Sequence, residues 1–180
     1  SVILGQKLLQ LVFPGVPDVF QGTELVELSL VDPDNRRPVD YAYRAARLAA
    51  LDAGEAPIDI SDEKLLVVSR ALRLRRDHPS WFVGDRAGWA LLDAPDGLLV
   101  VGRGERIAGA PADVVLAPED VAVVAVMVTR YPPPSGRGVG VVLPEGDWHD
   151  VLTERDVRGG SVSAEDLLDR LPVALLVRPD

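Results

Sequence analysis

Ile3, Leu4, Leu8, Leu9, Leu11 and Val12 recur at the three- and four-residue spacing of a helix, and they predict one buried stripe on a helix over residues 2–13. Pro14 and Pro17 end it, because neither ring nitrogen can donate to a helical ladder. Residues 18–21 read as a short strand, followed by a polar loop. Residues 41–53 are Ala-rich and helical, with Gly54 as the stop. A further helix is expected from Ser61, which is placed to cap it. Asp62 and Glu63 suit the positive end of its dipole, and Arg73, Arg75, Arg76 and His78 suit the negative end. Leu65, Leu66, Val68, Ala71, Leu72 and Leu74 supply its buried face, and Pro79 stops it.

From about residue 84 the apolar runs become short and β-rich, separated by Gly and Pro turns. Strands are expected at 89–93, 98–103, 121–130, 138–143, 148–152 and 173–178, with a turn or two of helix within 164–170. Residues 131–138, YPPPSGRG, read as a connector. The chain therefore divides into 1–83, mostly helical, and 84–180, an all-β antiparallel sandwich, giving an α+β class. The first part does not close on itself. One strand with flanking helices fits the last β/α unit of a (β/α)8 barrel whose other units are elsewhere. The apolar pattern also starts at Ser1 with no capping lead-in, so the sequence reads as part of a longer protein.

Composition narrows the chemistry. A net charge of -9 and a pI near 4.7 exclude nucleic acid and anionic membrane surfaces as natural partners. There is no cysteine, so disulfides, thiolate metal sites and a cysteine nucleophile are excluded. With two histidines, His78 and His149, no His-rich metal centre can be built. No apolar stretch is long enough to span a bilayer, and a cytoplasmic protein needing no cofactor is expected.

The densest polar stretch follows the candidate strand. Asp32, Asp34, Asn35, Arg36, Arg37 and Asp40 lie within nine residues. One reading is a self-satisfied surface loop whose ion pairs stabilise little. The other is a ligand wall: guanidinium donors beside Asp and Asn acceptors suit a polyhydroxyl ligand, and loops after barrel strands carry active sites. A connection of about 20 residues is also longer than structural connections usually are. Elsewhere the bland readings prevail. His78 reads as a helix-dipole partner and His149 as part of a turn into a strand. Trp81, Phe82, Trp89 and Trp148 read as packing residues before they read as sugar platforms. Gly136 to Gly140 is no nucleotide loop, because it does not join a strand to a helix.

Residues 15–24, GVPDVFQGTE, resemble the G-x-P-x-x-Y-x-G-x-E motif at the eighth strand of the α-amylase superfamily. The continuation LSLVDPDNRRPVD, residues 28–40, resembles the maltooligosyl trehalose synthase family within it. The stretches SRALRLRR (69–76), GDWHDVL (146–152) and LPVALLVR (171–178) agree. Phe20 stands where the motif has Tyr, and Val26 where an aromatic residue is expected. The resemblance implies an intramolecular glucosyl mutase that turns the reducing-end α-1,4 linkage of a maltooligosaccharide into an α,α-1,1 linkage. It also implies that the three catalytic carboxylates come from earlier barrel strands, so no catalytic residue is assigned in this chain. Glu24 is expected to anchor the loop or touch the sugar subsites indirectly. Asp34, Asn35, Arg36 and Arg37 are expected to contact the substrate, Arg36 above all, because NRRP resembles an A-R-T-P segment that reaches the acceptor sugar in related α-glucosidases. Lys64 matches a family lysine. The implied partners are a maltooligosaccharide and the remaining barrel portion, with no metal. Three other readings stand beside this one. The first is an α-glucan-binding module using Trp89 and Trp148. The second is a structural cap with an exposed apolar patch at 3–12. The third is a hydrolase of the α-amylase type.

Overall fold

The computed structural model describes residues 2–28, 37–106, 115–130 and 139–179. Three helices come first: α1 (Val2–Val12), α2 (Tyr41–Asp52) and α3 (Ile60–Asp77). The strands follow as β1 (Ala87–Leu92), β2 (Leu98–Glu105), β3 (Val121–Val128), β4 (Gly140–Asp150), β5 (Arg155–Ser163) and β6 (Val173–Val177), with a single helical turn, α4 (Ala164–Leu167), before β6. Among the described residues no helix is long and apolar enough to cross a membrane.

The strands form one antiparallel sheet in the order β1-β2-β3-β6-β4-β5. A sandwich of two separate sheets is therefore not what the β-rich half builds. β4 pairs with β6 only at His149 and Asp150, and its register with β5 shifts between Leu143 and Asp147. Such a bulge bends a strand. Val141, Leu143 and Trp148 of β4 consequently pack with Val100, Val124, Val126 and Leu176, on the sheet face away from the helices. The sheet's own edge supplies the second layer. A side chain at Gly159 would run into the Pro144 carbonyl, so the bulge requires a glycine opposite it.

The other face carries the helices. Val101, Val123, Ala125, Met127, Val173 and Leu175 share a core with Leu4, Leu8 and Leu11 of α1 and with Leu65, Val67, Val68 and Ala71 of α3. β3 is buried on both faces, which explains its unbroken apolar run, VAVVAVMV. Leu4, Leu8, Leu11 and Val12 are at most 1% exposed, so most of the apolar stripe expected at 3–12 is covered, with Ile3 left 45% exposed. Their burial is worth roughly 1.5–3 kcal/mol each. At Gly5 an added Cβ would press on the Val128 carbonyl, so α1 lies close against the sheet.

Two local expectations change. Asp59, not Ser61, caps α3: its carboxylate accepts from the Ser61 and Asp62 amides, both at 2.9 Å. Residues 18–21 join no ladder. A strand exists only where a neighbour accepts its hydrogen bonds, and β1 to β6 lie elsewhere.

Candidate functional site

Residues 13–28 lead from α1 to the polar loop, and side chains from all three helices hold their backbone. The last carbonyls of a helix lack intrahelical partners. Arg75 of α3 donates to two carbonyls there, Leu11 at 2.9 Å and Gly15 at 3.0 Å. Gln10 reaches the Asp18 carbonyl at 2.6 Å. The chain then turns: Thr23 donates to the Phe20 carbonyl through both its amide, at 3.0 Å, and its hydroxyl, at 2.6 Å. Gly22 takes φ +86°, a left-handed conformation that favours glycine.

Arg44 of α2 gathers both stems of the loop. Its Nη2 donates to the Gly22 carbonyl at 2.9 Å, and its Nε lies 2.6 Å from the Glu24 carboxylate. These contacts fall before the loop. After it, Nη1 donates to the Asp40 carbonyl at 3.1 Å. Asp40 also caps α2, accepting from the Tyr43 amide at 2.9 Å. One guanidinium thus ties the entry and exit of the loop to the first turn of a helix. A planar fork with five donors suits this task better than an ammonium.

The N-terminal part of α3 completes the hold. Lys64 Nζ donates to the Leu25 carbonyl at 2.7 Å, and Ser61 Oγ accepts from the Val26 amide at 3.3 Å. Lys64 is 8% exposed. Burial pulls its ammonium below the usual lysine range, the like charge of Lys7 adds to this, and Glu24 and Glu27 oppose it. Lys7 is shifted the same way by burial, against Asp18 and Glu24.

Of the residues expected at the site, Glu24 is brought to Arg44, and Arg37 is exposed at the loop exit. Asp34, Asn35 and Arg36 lie outside the described residues. Arg44 and Ser61 were not legible as site residues, because their partners lie 22 and 35 positions away and no periodicity links them. Among the described residues, no group of three His, Asp or Glu side chains is placed to hold a metal ion.

The aromatic candidates separate. Trp148 is 1% exposed, its indole N–H donates to the Pro144 carbonyl at 2.8 Å, and Arg178 lies 4.7 Å from its ring centre. It cannot serve as a sugar platform. Phe82 is buried between the guanidinium groups of Arg75 and Arg103. Trp89 is 40% exposed and leans on Phe13 at 5.2 Å. His78 stacks flat on Trp81 at 3.9 Å.

His149 sits between two carboxylates, Asp156 at 2.9 Å from Nδ1 and Glu154 at 3.1 Å from Nε2. The hydrogen bond to Asp156, aided by Glu154 and opposed by burial, holds the imidazole above the usual histidine range. A raised folded value stabilises below the unfolded one, near pH 6.5, and the gain is lost as pH rises through the folded value. His149→Gln is therefore expected to lower the melting temperature at pH 6 and to leave it unchanged at pH 8.5. The effect is small, because all three groups face solvent. Thermal melts at the two pH values check this.

No protein-family model matches the chain. A Mycobacterium tuberculosis H37Rv protein named as a maltooligosyl trehalose synthase is 40% identical over 180 residues, covering 99% of this chain and 20% of its own length. The solved maltooligosyltrehalose synthase from Arthrobacter ramosus superposes with a TM-score of 0.78 at 38% identity, over 98% of this chain and 22% of that one. A second structure, DSM5389 glycosyltrehalose synthase, shares the fold with a TM-score of 0.71 at 20% identity. The chain spans about a fifth of the length of the curated relatives it matches. Over nearly its whole length, this chain is homologous to the C-terminal part of the maltooligosyl trehalose synthases.

Proposed function

We propose that this chain is the C-terminal portion of a maltooligosyl trehalose synthase, a (1→4)-α-D-glucan 1-α-D-glucosylmutase acting in trehalose formation. The supporting observation is 38–40% identity to proteins of that name across 98–99% of the chain. On this reading residues 1–83 contribute the last β/α unit of a (β/α)8 barrel, and residues 84–180 form the β-domain behind it. The single sheet and its helical cover carry the segment 13–28 on a rigid support, as precise positioning requires.

The chemistry on this reading is retaining glycosyl transfer. A carboxylate attacks the anomeric carbon of the penultimate glucose while an acid protonates O4 of the leaving reducing-end glucose. That glucose stays bound and turns. Its anomeric hydroxyl attacks the glycosyl-enzyme, and the conjugate base takes the proton. No water is consumed, so water must be excluded from the intermediate. The three carboxylates of this scheme are placed on barrel strands outside the 180 residues, and the chain alone is expected to be inactive. The role of this chain is to hold the turning glucose. Asp34, Asn35, Arg36 and Arg37 supply donors and acceptors for its hydroxyls, and Glu24, paired with Arg44, fixes the stem of their loop.

The test uses the product of the complete reading frame with maltopentaose, following reducing ends and free glucose together. Loss of reducing ends with little free glucose is expected. A gain of reducing ends with release of glucose or maltose would overturn the mutase reading in favour of a hydrolase.

A further inference from the structure

We propose that the cleft between residues 14–16, Phe82 and Trp89 is a carboxylate socket, in which Arg103 and Arg75 pair with an acidic side chain of the remaining barrel portion. The inference rests on the reading above only in that such a portion exists; it does not use the mutase chemistry.

A buried cation is costly unless it is paired. Arg103 of β2 is 1% exposed and lines this cleft. Its Nη2 donates to the Phe82 carbonyl at 3.0 Å, and its buried Nε meets no acceptor among the described residues. Arg75 approaches the same phenyl ring, 4.9 Å from its centre against 5.4 Å for Arg103, and donates only to the Leu11 and Gly15 carbonyls. Among the described residues, neither guanidinium has a carboxylate partner, in a chain whose net charge is -9. Burial, with the like charge of Arg75, pulls the Arg103 guanidinium down to about 10. A carboxylate beside the two would offset both effects. The surroundings select what carries it. The cleft holds about 270 Å³, less than the roughly 300–1,000 Å³ of ordinary ligand pockets, and suits a side chain better than a sugar. Its rim is apolar: Phe13, Val16, Val83 and Trp89 are exposed, and Trp89 stands opposite Arg103 in the β1–β2 register. Aromatic residues around a guanidinium are the make-up of a protein interface. Residues 14–16 form one wall and lead into 18–21, whose backbone joins no ladder. The cleft therefore opens beside the edge where a neighbouring barrel strand would pair.

The experiment compares the product of the complete reading frame with its Arg103→Met variant, in thermal melts at pH 7.5 and pH 4.5. A carboxylate paired with a guanidinium has a lowered folded value, so its stabilisation is present above the unfolded value, near pH 4, and is lost as pH falls through the folded one. In the variant the same carboxylate is buried with less compensation, its folded value rises, and protonation relieves the penalty. The gap in melting temperature is therefore expected to be several degrees at pH 7.5 and to shrink by roughly half or more at pH 4.5. Arg103→Lys, which keeps the charge, should close part of the gap. The contacts of Arg103 with the Phe82 carbonyl and ring do not titrate, so a merely structural role would leave the gap equal at both pH values and overturn the proposal while the mutase reading stood. Benzoate tests the other source of a carboxylate: a rise in the wild-type melting temperature that Arg103→Met abolishes would assign the cleft to a free acid instead. Hydroxyl-radical footprinting of the wild type needs no variant to fold. Trp89 and Phe13 are expected to oxidise about fivefold more slowly than exposed aromatic side chains, because the barrel portion covers them. Oxidation at the exposed rate would sink the interface. A wild-type enzyme that only hydrolyses maltopentaose would end the mutase reading and leave this proposal standing.

Discussion

Asp150→Ala is expected to destabilise the chain by about 2–4 kcal/mol, lowering the melting temperature by roughly 6–12 °C. Asp150 is fully buried at the end of β4, where that strand leaves the sheet. Leu175 of β6 still presents both backbone groups to it. Its carbonyl accepts from the Val151 amide at 3.0 Å, and its N–H donates to Asp150 Oδ1 at 3.2 Å. The carboxylate thus replaces the missing backbone acceptor. Oδ1 also accepts from the Leu152 amide at 3.1 Å, and Oδ2 from the Thr153 hydroxyl at 2.6 Å. Alanine would orphan two buried amides, at a cost of about 1–3 kcal/mol each, less what water recovers at the turn.

Asparagine should behave differently. Its carbonyl can accept the two bonds to Oδ1, and its amide can donate to Thr153 Oγ. Burial holds the Asp150 carboxyl above the usual aspartate value, against the hydrogen bonds from Thr153, Leu152 and Leu175. The folded state therefore binds its proton more tightly than the unfolded state does. That contribution is complete below the unfolded value and is lost as pH rises through the folded one. Relative to wild type, Asp150→Asn should gain stability between pH 3.5 and pH 7. Denaturant melts of the three proteins at both pH values check this; equal losses for Ala and Asn at pH 7 would contradict the surrogate-acceptor account.

α1 and α3 were legible because each has a period-consistent apolar face, and α2 because its run is Ala-rich. The central strands were legible because burial on both faces leaves an unbroken apolar run such as residues 121–128. β5 was not, for the opposite reason. RDVRGGSVS has no buried residue and sits at the sheet edge, where polar side chains guard against further pairing. Residues 138–143 and 148–152 looked like two strands because Pro144 and Gly146 read as a turn; they mark a bulge within one strand. The strand expected at 18–21 joins no ladder among β1 to β6; the motif there located the loop that follows it. What the motif could not give was the hold on that loop. The bonds of Arg44 to Gly22, Ser61 to Val26 and Lys64 to Leu25 span 22, 35 and 39 positions, which no local pattern encodes.

The attachment of α2 carries the last prediction. Asp62→Ala is expected to raise amide exchange across residues 41–52 by one to two powers of ten, with β3 amides unaffected, as a loss of about 2–3 kcal/mol confined to that helix would do. Isolated helices of 12 residues are marginal in water, and α2 buries a single side chain, Leu51. Its place therefore depends on polar ties. Arg47 grips the 1% exposed carboxylate of Asp62 with Nη2 at 2.6 Å and Nε at 3.2 Å, and the Ile58 amide adds a bond at 3.1 Å. Asp52 and Arg73 pair at the other end of the helix. The Arg47 hydrogen bond, helped by the Ile58 amide and opposed by burial, holds Asp62 below the usual aspartate range. Its stabilisation is present above the unfolded value and lost as pH falls through the folded one, so the exchange protection of α2 should fail in acid before that of the sheet. Replacing both partners, as Asp62→Leu with Arg47→Met, should restore much of the protection, because an apolar pair of similar volume carries no desolvation cost. Arg44 rides on the same helix one turn earlier. When α2 loosens, the guanidinium that joins Gly22, Glu24 and Asp40 loses its support, and both stems of the loop are released together. Hydrogen exchange in wild type, Asp62→Ala and the double variant separates the cases: unchanged protection in Asp62→Ala would place the anchor elsewhere, and an equal loss in β3 would make it a global rather than a local tie.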